Sequence, residues 1–576
     1  MPVTNTPPTE KAVGSFLAAA VGDALGWPFE GRSRRVQPRN APETRSLPSE
    51  FFDWTRSGSR SEPYREPIRA GEYSDDTQLL LASARSILHG PEWWDYFAFV
   101  ELPSWLLYER GGGGATKRAA QLWLAETAPW DSPRGRDRYF EAGGNGVCMR
   151  ILPHVLANRN GDASDISRQI VLNGICTHGH PRALVGALLH GMTMWLSLRQ
   201  EEMLEFGALT EAVYRGFPDW ACFPEVATKW RGALSITAVQ DYKALWDETV
   251  REIMSLLEIA KESLRLGPLS SGPETLQRMG ALNPKTNGSG TITAAASLFL
   301  ASRYAASPLQ GMLVAATTLG SDTDTLASMA GTILGAIHGE EWLGHFASTV
   351  QDAGYIRKIA ASLVAEAPVP SSGPVSKVSK KESTKFTNLL KSMNVGANIH
   401  FPDGRSAGVR SVEPMFSQSA QADLCQIQTE DGQTFAIRRL VRRTRTTKPL
   451  PKPLAVPEVE NILRVGIKVF VSDLQKAREF YVHKLHFPID KEYSTGFTVA
   501  GFISVLLSSQ LEQQDFRFPR NALPSPTPCI RVANLAATAS RLSEARIPMT
   551  PVTGHRSYKA FQIVDPFGNK LELFEA

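Results

Sequence analysis

Two stretches of the chain, Ser74-Asp75-Asp76-Thr77-Gln78-Leu79-Leu80-Leu81 and Ser321-Asp322-Thr323-Asp324-Thr325-Leu326-Ala327, share one pattern: a serine, closely spaced aspartates, then an apolar run of helical character. Four carboxylates brought together repel one another and raise each other's pKa unless cations neutralise them. Aspartates mixed with Ser and Thr hydroxyls form a hard oxygen donor set, which suits Mg²⁺ better than the His and Cys that zinc prefers. The competing reading makes Ser74 and Ser321 helix N-caps and the aspartates first-turn residues that complement the helix dipole. Either motif alone is open to both readings, whereas the pair together favours a metal centre.

Working outward, Lys11 to about Ala365 is helical in pattern, with segments such as Gln78–Leu88, Gln169–Ile175 and Thr293–Ala306 punctuated by Gly, Pro and Asn and few strand-like alternations. The apolar run Ala12–Val21 meets Asp23 at once and lacks a cleavage pattern, so export is not expected. The longest apolar stretch, Ala183–Leu198, carries His190 and reads as a buried core helix, so no membrane partner is expected. A Pro/Ser/Lys-rich linker follows at 367–384, beginning APVPSSGPVSKVSKK. A small β module at 385–446 contains two Asp-Gly turns, in FPDGRSAGV and IQTEDGQTFAIRRL. A second spacer at 447–460 leads to an α+β unit at 461–576 with VGIKVFV, LQKAREFYVHKL and LELF. The expected fold is therefore multidomain: an all-α region at 1–366, the β module, and a C-terminal α+β domain, in keeping with a length of 576 residues.

The composition, 42% hydrophobic and 21% charged, supports real cores and excludes a disordered scaffold. A net charge of +4 is small for this length and points to neither nucleic acid nor an anionic membrane surface. Locally, Arg438, Arg439, Arg442, Arg443, Arg445 and Lys448 form a basic run, whose ordinary reading is a solvated edge and whose alternative is a polyanion contact. The five cysteines stand singly, without Cys-x-x-Cys spacing, which argues against disulfides or thiolate zinc and for a reducing cytoplasm.

Six motifs in order make the first two-thirds resemble the ADP-ribosylglycohydrolase family. They are Gly22-Asp23-Ala24-Leu25-Gly26 with Pro28 and Glu30; Ser74 to Thr77; Gly111 to Gly114; Gly144-Asn145-Gly146 with Met149-Arg150; Thr177-His178 with Pro181; and Gly320 to Thr325 with Gly331, Gly335 and Gly339. The resemblance implies two Mg²⁺ ions, one held by Ser74, Asp75, Asp76 and Asp324, the other by Asp322, Asp324 and Thr325. It implies Glu30 as a mobile general acid or base, acting with Asp75 and Asp76 at the catalytic centre. The implied reaction is hydrolysis of an ADP-ribosyl bond on a modified acceptor, most naturally a protein, with an oxocarbenium-like transition state.

Gly111, Gly113, Gly144, Asn145, Gly146 and Val147 are the candidate pyrophosphate cradle, because glycine turns let backbone N–H groups approach an anion. Read by themselves, such glycines are as readily plain loops. His178 resembles a ribose-contacting residue and has a structural alternative, His180 has no assigned role, and Met149-Arg150 is expected to support the binding loop. Against hydrolysis stands the reading of a module that binds ADP-ribose without turnover.

The C-terminal unit resembles the glyoxalase and bleomycin-resistance (vicinal oxygen chelate) superfamily through VSDLQKAREFY at 471–481 and DPFGNKLELFE at 565–575. Glu572 matches the last-strand metal ligand of active members. The first-strand ligand position falls on Gly466 or Arg464, and TPCIRVANL lacks a His, so the expected role is binding or pairing without a metal.

Overall fold

The computed structural model describes residues 8–30, 47–57, 64–201, 205–223, 230, 242–267, 270–365, 375–417 and 421–441. In the C-terminal part it describes 462–471, 474–478, 482, 489–493, 496–499, 503–507, 527–532, 534–544, 549–554, 559–564 and 570–575. The chain divides into two compact units, Met1–Thr444 and Arg445–Ala576.

The principal elements of the first unit are, in order, α1 (Pro8–Gly26), β1 (Trp54–Ser57), β2 (Tyr64–Ile68), α2 (Asp75–Leu88), α3 (Gly114–Leu124), α4 (Pro181–Leu198), α5 (Tyr242–Arg265), α6 (Gly290–Arg303), α7 (Thr323–His338), α8 (Ala353–Val364) and α9 (Lys380–Leu390). They are followed by β3 (Asn398–His400), β4 (Ser406–Ser417), β5 (Gln421–Thr429) and β6 (Thr434–Val441). The helix Pro8–Phe29 is long and apolar enough to cross a membrane by length and composition, yet 94% of its window is buried inside the protein. It is a core helix, apolar on every face because it is surrounded. Ala183–Leu198 likewise lies in α4, with His190 buried.

Small residues four apart let α1 and α7 touch backbone to backbone. A Cβ at Gly22 would stand 2.4 Å from the Ala327 carbonyl oxygen, and one at Gly335 would stand 2.4 Å from that of Gly14. This contact carries the C-terminal end of α1 to the N-terminal end of α7, where the second aspartate motif begins.

The helical region is not purely α. Its hairpin, β1 paired with β2, joins the β module through Tyr64↔Ser417 and Arg65↔Phe416, giving a six-stranded antiparallel sheet ordered β1-β2-β4-β5-β6 with β3 on β4. Both Asp-Gly stretches form the expected hairpin turns, with Gly404 and Gly432 at φ of +90° and +106°. Helix α9 begins inside the stretch read as a linker, 367–384, and is closed by a capping box between Ser379 and Glu382. Residues 367–374 and the spacer 447–460 lie outside the described residues.

The sheet is tied to the helices by buried polar groups. Arg85 pairs with Glu101 at 2.6 Å and donates to Gln433 Oε1 at 2.7 Å, which also accepts from Arg405 at 2.8 Å. Tyr108, Phe401, Phe435 and Phe386 stack around this contact, with centroids 4.1 Å apart for Tyr108 and Phe435 and 4.7 Å for Phe386 and Phe401. Two residues of the basic run serve structure: Arg439 donates to Asp423 at 2.8 Å, and Arg438 lies over the Tyr64 ring. Arg442, Arg443, Arg445 and Lys448 lie outside the described residues.

The second unit is an eight-stranded sheet ordered β12-β13-β14-β11-β7-β10-β9-β8, from β7 (Ile462–Val471), β8 (Ile489–Tyr493), β9 (Gly496–Val499), β10 (Ile503–Leu507), β11 (Thr527–Val532), β12 (Thr553–Gly554), β13 (Lys559–Val564) and β14 (Lys570–Glu575). Each half is a strand, a helix and three further strands, with first and last strands parallel neighbours, and β7 and β11 join the halves antiparallel. In the backbone register Gly466 pairs with Cys529, and Cys529 with Glu572, so Gly466 rather than Arg464 shares Glu572's row. The Glu572 carboxylate accepts from Gln562 Nε2 at 3.1 Å. Residues 472–473, 479–481 and 565–569 of the two quoted stretches lie outside the described residues.

Candidate active site

Three helix ends meet at the site: the C-terminal end of α1 and the N-terminal ends of α2 and α7. Asp23, fully buried on the last turn of α1, accepts from the backbone N–H groups of Ser74 (3.0 Å) and Thr77 (3.0 Å) and from the Thr77 hydroxyl (2.6 Å). A carboxylate at the start of α2 satisfies N–H groups that the helix cannot pair itself and complements its dipole. Ser74 is the N-cap of α2, its Oγ accepting from Asp76 N at 3.4 Å. At the other motif Asp322, not Ser321, occupies the cap position, and the Ser321 hydroxyl donates to the Thr318 carbonyl at 2.7 Å.

The geometry brings both motifs together. Thr325 Oγ1 donates to Asp76 Oδ1 at 3.3 Å across 249 residues of sequence. Carboxylate oxygens of Glu30, Asp322 and Asp324 lie within 4.8 Å of one another. Glu30 follows the short turn Trp27–Phe29 and is half-buried, while Asp75, Asp76 and Asp324 are buried. Burial pushes the carboxyls of Asp75, Asp76 and Asp324 well above their usual range. Neighbouring charges add to it: Glu109, Asp23 and Glu30 at Asp75; Asp23, Asp75 and Asp322 at Asp76; Glu30, Asp322 and Asp76 at Asp324. Lys117 offsets this at Asp75. Asp76 Oδ2 is buried without a hydrogen-bond partner. A packed group of carboxylates with an orphaned oxygen is what hard divalent cations satisfy, so the residues fit Mg²⁺.

Glycine turns frame this cluster. Gly111 has φ of +102°, which disfavours any side chain, and a Cβ there would stand 2.9 Å from Asp75 Oδ1 and displace that carboxylate. The preceding Arg110 is buried and pairs with Glu66 (2.8 Å) and Glu72 (2.9 Å), fixing the turn to β2. Gly113 is the N-cap of α3.

Residues 143–147 and 287–290 are laced together: Asn145 N donates to the Gly288 carbonyl (3.0 Å) and Gly290 N to that of Gly143 (3.0 Å). Asn145 Nδ2 then reaches Asp322 Oδ2 at 2.9 Å, and Asn287 Nδ2 the Gly320 carbonyl at 2.9 Å. Gly144 and Gly146 face the His178 ring, and Val147 is buried beneath them.

His178 is buried, with Nδ1 2.7 Å from Thr177 Oγ1, and burial, with Arg150 and Arg118 nearby, drops its pKa to about 3. It therefore stays neutral at physiological pH and acts as a hydrogen-bonding group. Arg150 is fully buried and donates to the Gly146 carbonyl (2.9 Å), Asn173 Oδ1 (2.8 Å) and Thr177 Oγ1 (2.8 Å), so it holds the loop and the histidine together. Replacing Arg150 with Met leaves these acceptors unpaired and is expected to cost about 2–4 kcal/mol in urea unfolding. A cost below about 1 kcal/mol would show that the network carries little of the loop's order.

A family model described as ADP-ribosylglycohydrolase matches residues 4–372. The chain belongs to that family. The ADP-ribosylhydrolase ARH3 of Gallus gallus is 26% identical over 343 residues, covering 58% of this chain and 87% of that protein. The ADP-ribosyl-[dinitrogen reductase] glycohydrolase of Rhodospirillum rubrum is 27% identical over 186 residues, covering 32% of this chain and 56% of that one. A solved structure titled ADP-ribosylglycohydrolase-related protein complex is 24% identical, covers 63% of this chain and 99% of its own, and has a TM-score of 0.41. Residues 462–573 match the Glyoxalase/Bleomycin resistance protein/Dioxygenase superfamily model.

Within this ADP-ribosylglycohydrolase, three contributors escaped sequence reasoning. Asp23 lies in a quoted motif, but nothing in one chain shows that it anchors the start of α2. The Asn287-Gly288-Ser289-Gly290 turn ahead of α6 carries a clear turn signal, and its role follows only from its pairing with residues 143–145. His180, left without a role, caps α4: its Nδ1 accepts from Arg182 N at 3.0 Å, just before Pro181 at the first helical position.

Proposed function

We propose that the chain is a Mg²⁺-dependent hydrolase that cleaves an ADP-ribosyl N- or O-glycosidic bond and releases ADP-ribose from a modified protein. The observation that carries this reading is the buried carboxylate cluster with Asp76 Oδ2 unpartnered. A site that only gripped ADP-ribose would gain nothing from mutually repelling buried acids. Ser74, Asp75, Asp76 and Asp324 would hold one Mg²⁺, and Asp322, Asp324 and Thr325 the other. Two ions there would supply Lewis acidity at the distal ribose hydroxyls and lower the pKa of the attacking water.

The chain's own groups do the rest. The Gly111–Gly114 and Gly144–Val147 turns present backbone N–H groups to the pyrophosphate, and neutral His178 hydrogen-bonds the ribose. Asn145 orients Asp322, and Glu30, beside Asp322 and Asp324, exchanges the proton as the bond at the anomeric carbon breaks. The second unit would select the acceptor, and the unpaired Cys148, Cys176, Cys222 and Cys425 suit a reducing cytoplasm.

The test is release of free ADP-ribose from arginine-linked, serine-linked and nucleic-acid-linked substrates, with Mg²⁺ and with chelator. Metal-dependent release from one linkage is expected. Tight ADP-ribose binding without release in excess Mg²⁺ would overturn the hydrolase reading.

A further inference from the structure

A groove of about 240 Å³ opens beside the glycine turns, between α3 and the short helix Arg136–Phe140. Its floor is apolar, from Ala119, Leu122 and Tyr139, and it reaches Ala142 and Thr177, the residues that precede Gly143 and His178. Three arginines, Arg118, Arg134 and Arg138, line it. All three are exposed, and among the described residues none makes an ion pair with a carboxylate.

Arg118 stands nearest the site, with Nη1 2.9 Å from where a Cβ on Gly114 would lie. Its charge is also felt at His178. With the distal ribose at the aspartates and the pyrophosphate at the glycine turns, whatever extends past Ala142 belongs to the adenosine end of the substrate. Adenosine carries no charge, so three unneutralised guanidinium groups are more than it needs. Guanidinium forks match phosphate oxygens in geometry as well as charge.

We infer that Arg118, Arg134 and Arg138 form a subsite for an additional phosphate on the adenosine half of the substrate. This rests on the ADP-ribosyl hydrolase reading. The phosphate is either a monoester on the adenosine ribose or belongs to a further ADP-ribose unit joined there through a glycosidic bond, and both offer the groove phosphate oxygens. No covalent step is involved. The subsite contributes binding, which weakens with salt as counterions screen the arginines.

The experiment is competition against ADP-ribose release by the full-length chain with Mg²⁺, using ADP-ribose, ADP-ribose 2′-phosphate and an ADP-ribose dimer. The expected result is that at least one phosphorylated ligand competes about tenfold more tightly than ADP-ribose at low salt, with the advantage shrinking at 0.5 M salt. Arg134→Gln/Arg138→Gln should remove most of that advantage, and adding Arg118→Gln the remainder. A preference for the 2′-phosphate assigns a monoester; a preference for the dimer alone assigns a linked unit. Equal competition by all three ligands, or a preference that survives the triple variant, overturns the subsite while leaving the hydrolase reading intact. Failure of ADP-ribose itself to compete would bring down both.

Discussion

Asp324→Asn is expected to lower ADP-ribose release about a thousandfold and, in the same protein, to raise the melting temperature of the metal-free form. Loss of a ligand to both proposed cations removes several kcal/mol of charge stabilisation, and each 1.36 kcal/mol is a factor of about ten in rate. The stability change has the opposite sign because Asp324 is buried among Glu30, Asp322 and Asp76. An asparagine there ends the repulsion.

The pH dependence follows from the same shifts. Asp75, Asp76 and Asp324 have folded-state pKa values raised above those of the unfolded chain. Their contribution is therefore fully present below the ordinary carboxylate range and is lost as pH rises through the raised values. Buried His178, with its pKa at about 3, opposes the fold at pH 5 in wild type and variant alike, so the reading is their difference: without metal, the Asp324→Asn protein should exceed the wild type in melting temperature by more near pH 8 than near pH 5. The proposed Mg²⁺ would bind the ionised carboxylates, so its stabilisation, about 2.7 kcal/mol at a hundredfold excess over Kd, should appear at pH 8 and fade toward pH 5. Differential scanning fluorimetry across pH, with and without Mg²⁺, reads all of this. An Asp324→Asn protein with half the wild-type activity, or a wild-type melting temperature indifferent to Mg²⁺ at pH 8, would sink the metal assignment.

The second large effect is expected at the helix crossing. Gly22→Ala places a methyl group 2.4 Å from the Ala327 carbonyl oxygen and 2.7 Å from Ser328 N, both backbone atoms that cannot rotate away. Overpacking of a core typically costs about 1–3 kcal/mol and more where the obstacle is rigid, so a loss of roughly 3 kcal/mol or greater is expected in denaturant unfolding. Because Asp23 is the next residue, activity should fall with stability. Gly354→Ala is the control, since nothing lies within 4 Å of its added Cβ on α8, and helix propensity alone should make it stabilising by up to about 1 kcal/mol. Equal effects of the two substitutions would show that the α1 to α7 contact yields easily.

How much of this was legible depended on whether a signal was local. The aspartate motifs, their paired composition and the helical runs behind them are local, and so are the Asp-Gly turns at Gly404 and Gly432. The hairpin β1–β2 was not legible. Trp-Thr-Arg-Ser and Tyr-Arg-Glu-Pro-Ile are short and charged, and their strand conformation comes from ladder bonds to each other and to β4. Glu66 within β2 reads as a surface residue, yet it is fully buried because Arg110 and Arg56 meet it, and their charges hold its carboxyl below its usual range against burial. Asp23 and the 287–290 turn were hidden for a related reason: each acts by hydrogen bonds to residues far along the chain. The helix crossing was half legible, because Gly331, Gly335 and Gly339 stand out in the sequence while their partners on α1 do not.

The antiparallel sheet shared by β1, β2 and the β module sets an order in time. The residue before the first aspartate motif, Tyr73, donates to Asp352 at 2.7 Å, and that carboxylate accepts from Thr434 N at 2.9 Å; Glu72 accepts from Gln426 at 3.2 Å. β2 is synthesised first, and its neighbour β4 emerges about 350 residues later, a wait on the order of 20–70 s at the usual rates of translation. Asp322 and Asp324 emerge before β4 does, so in the last part of that interval every aspartate of the site exists while the loop that carries Ser74, Asp75 and Asp76 still lacks the bond from Gln426 to Glu72. A chain ended near residue 372 would therefore carry every proposed ligand without the contacts of Gln426 to Glu72 and of Thr434 to Asp352.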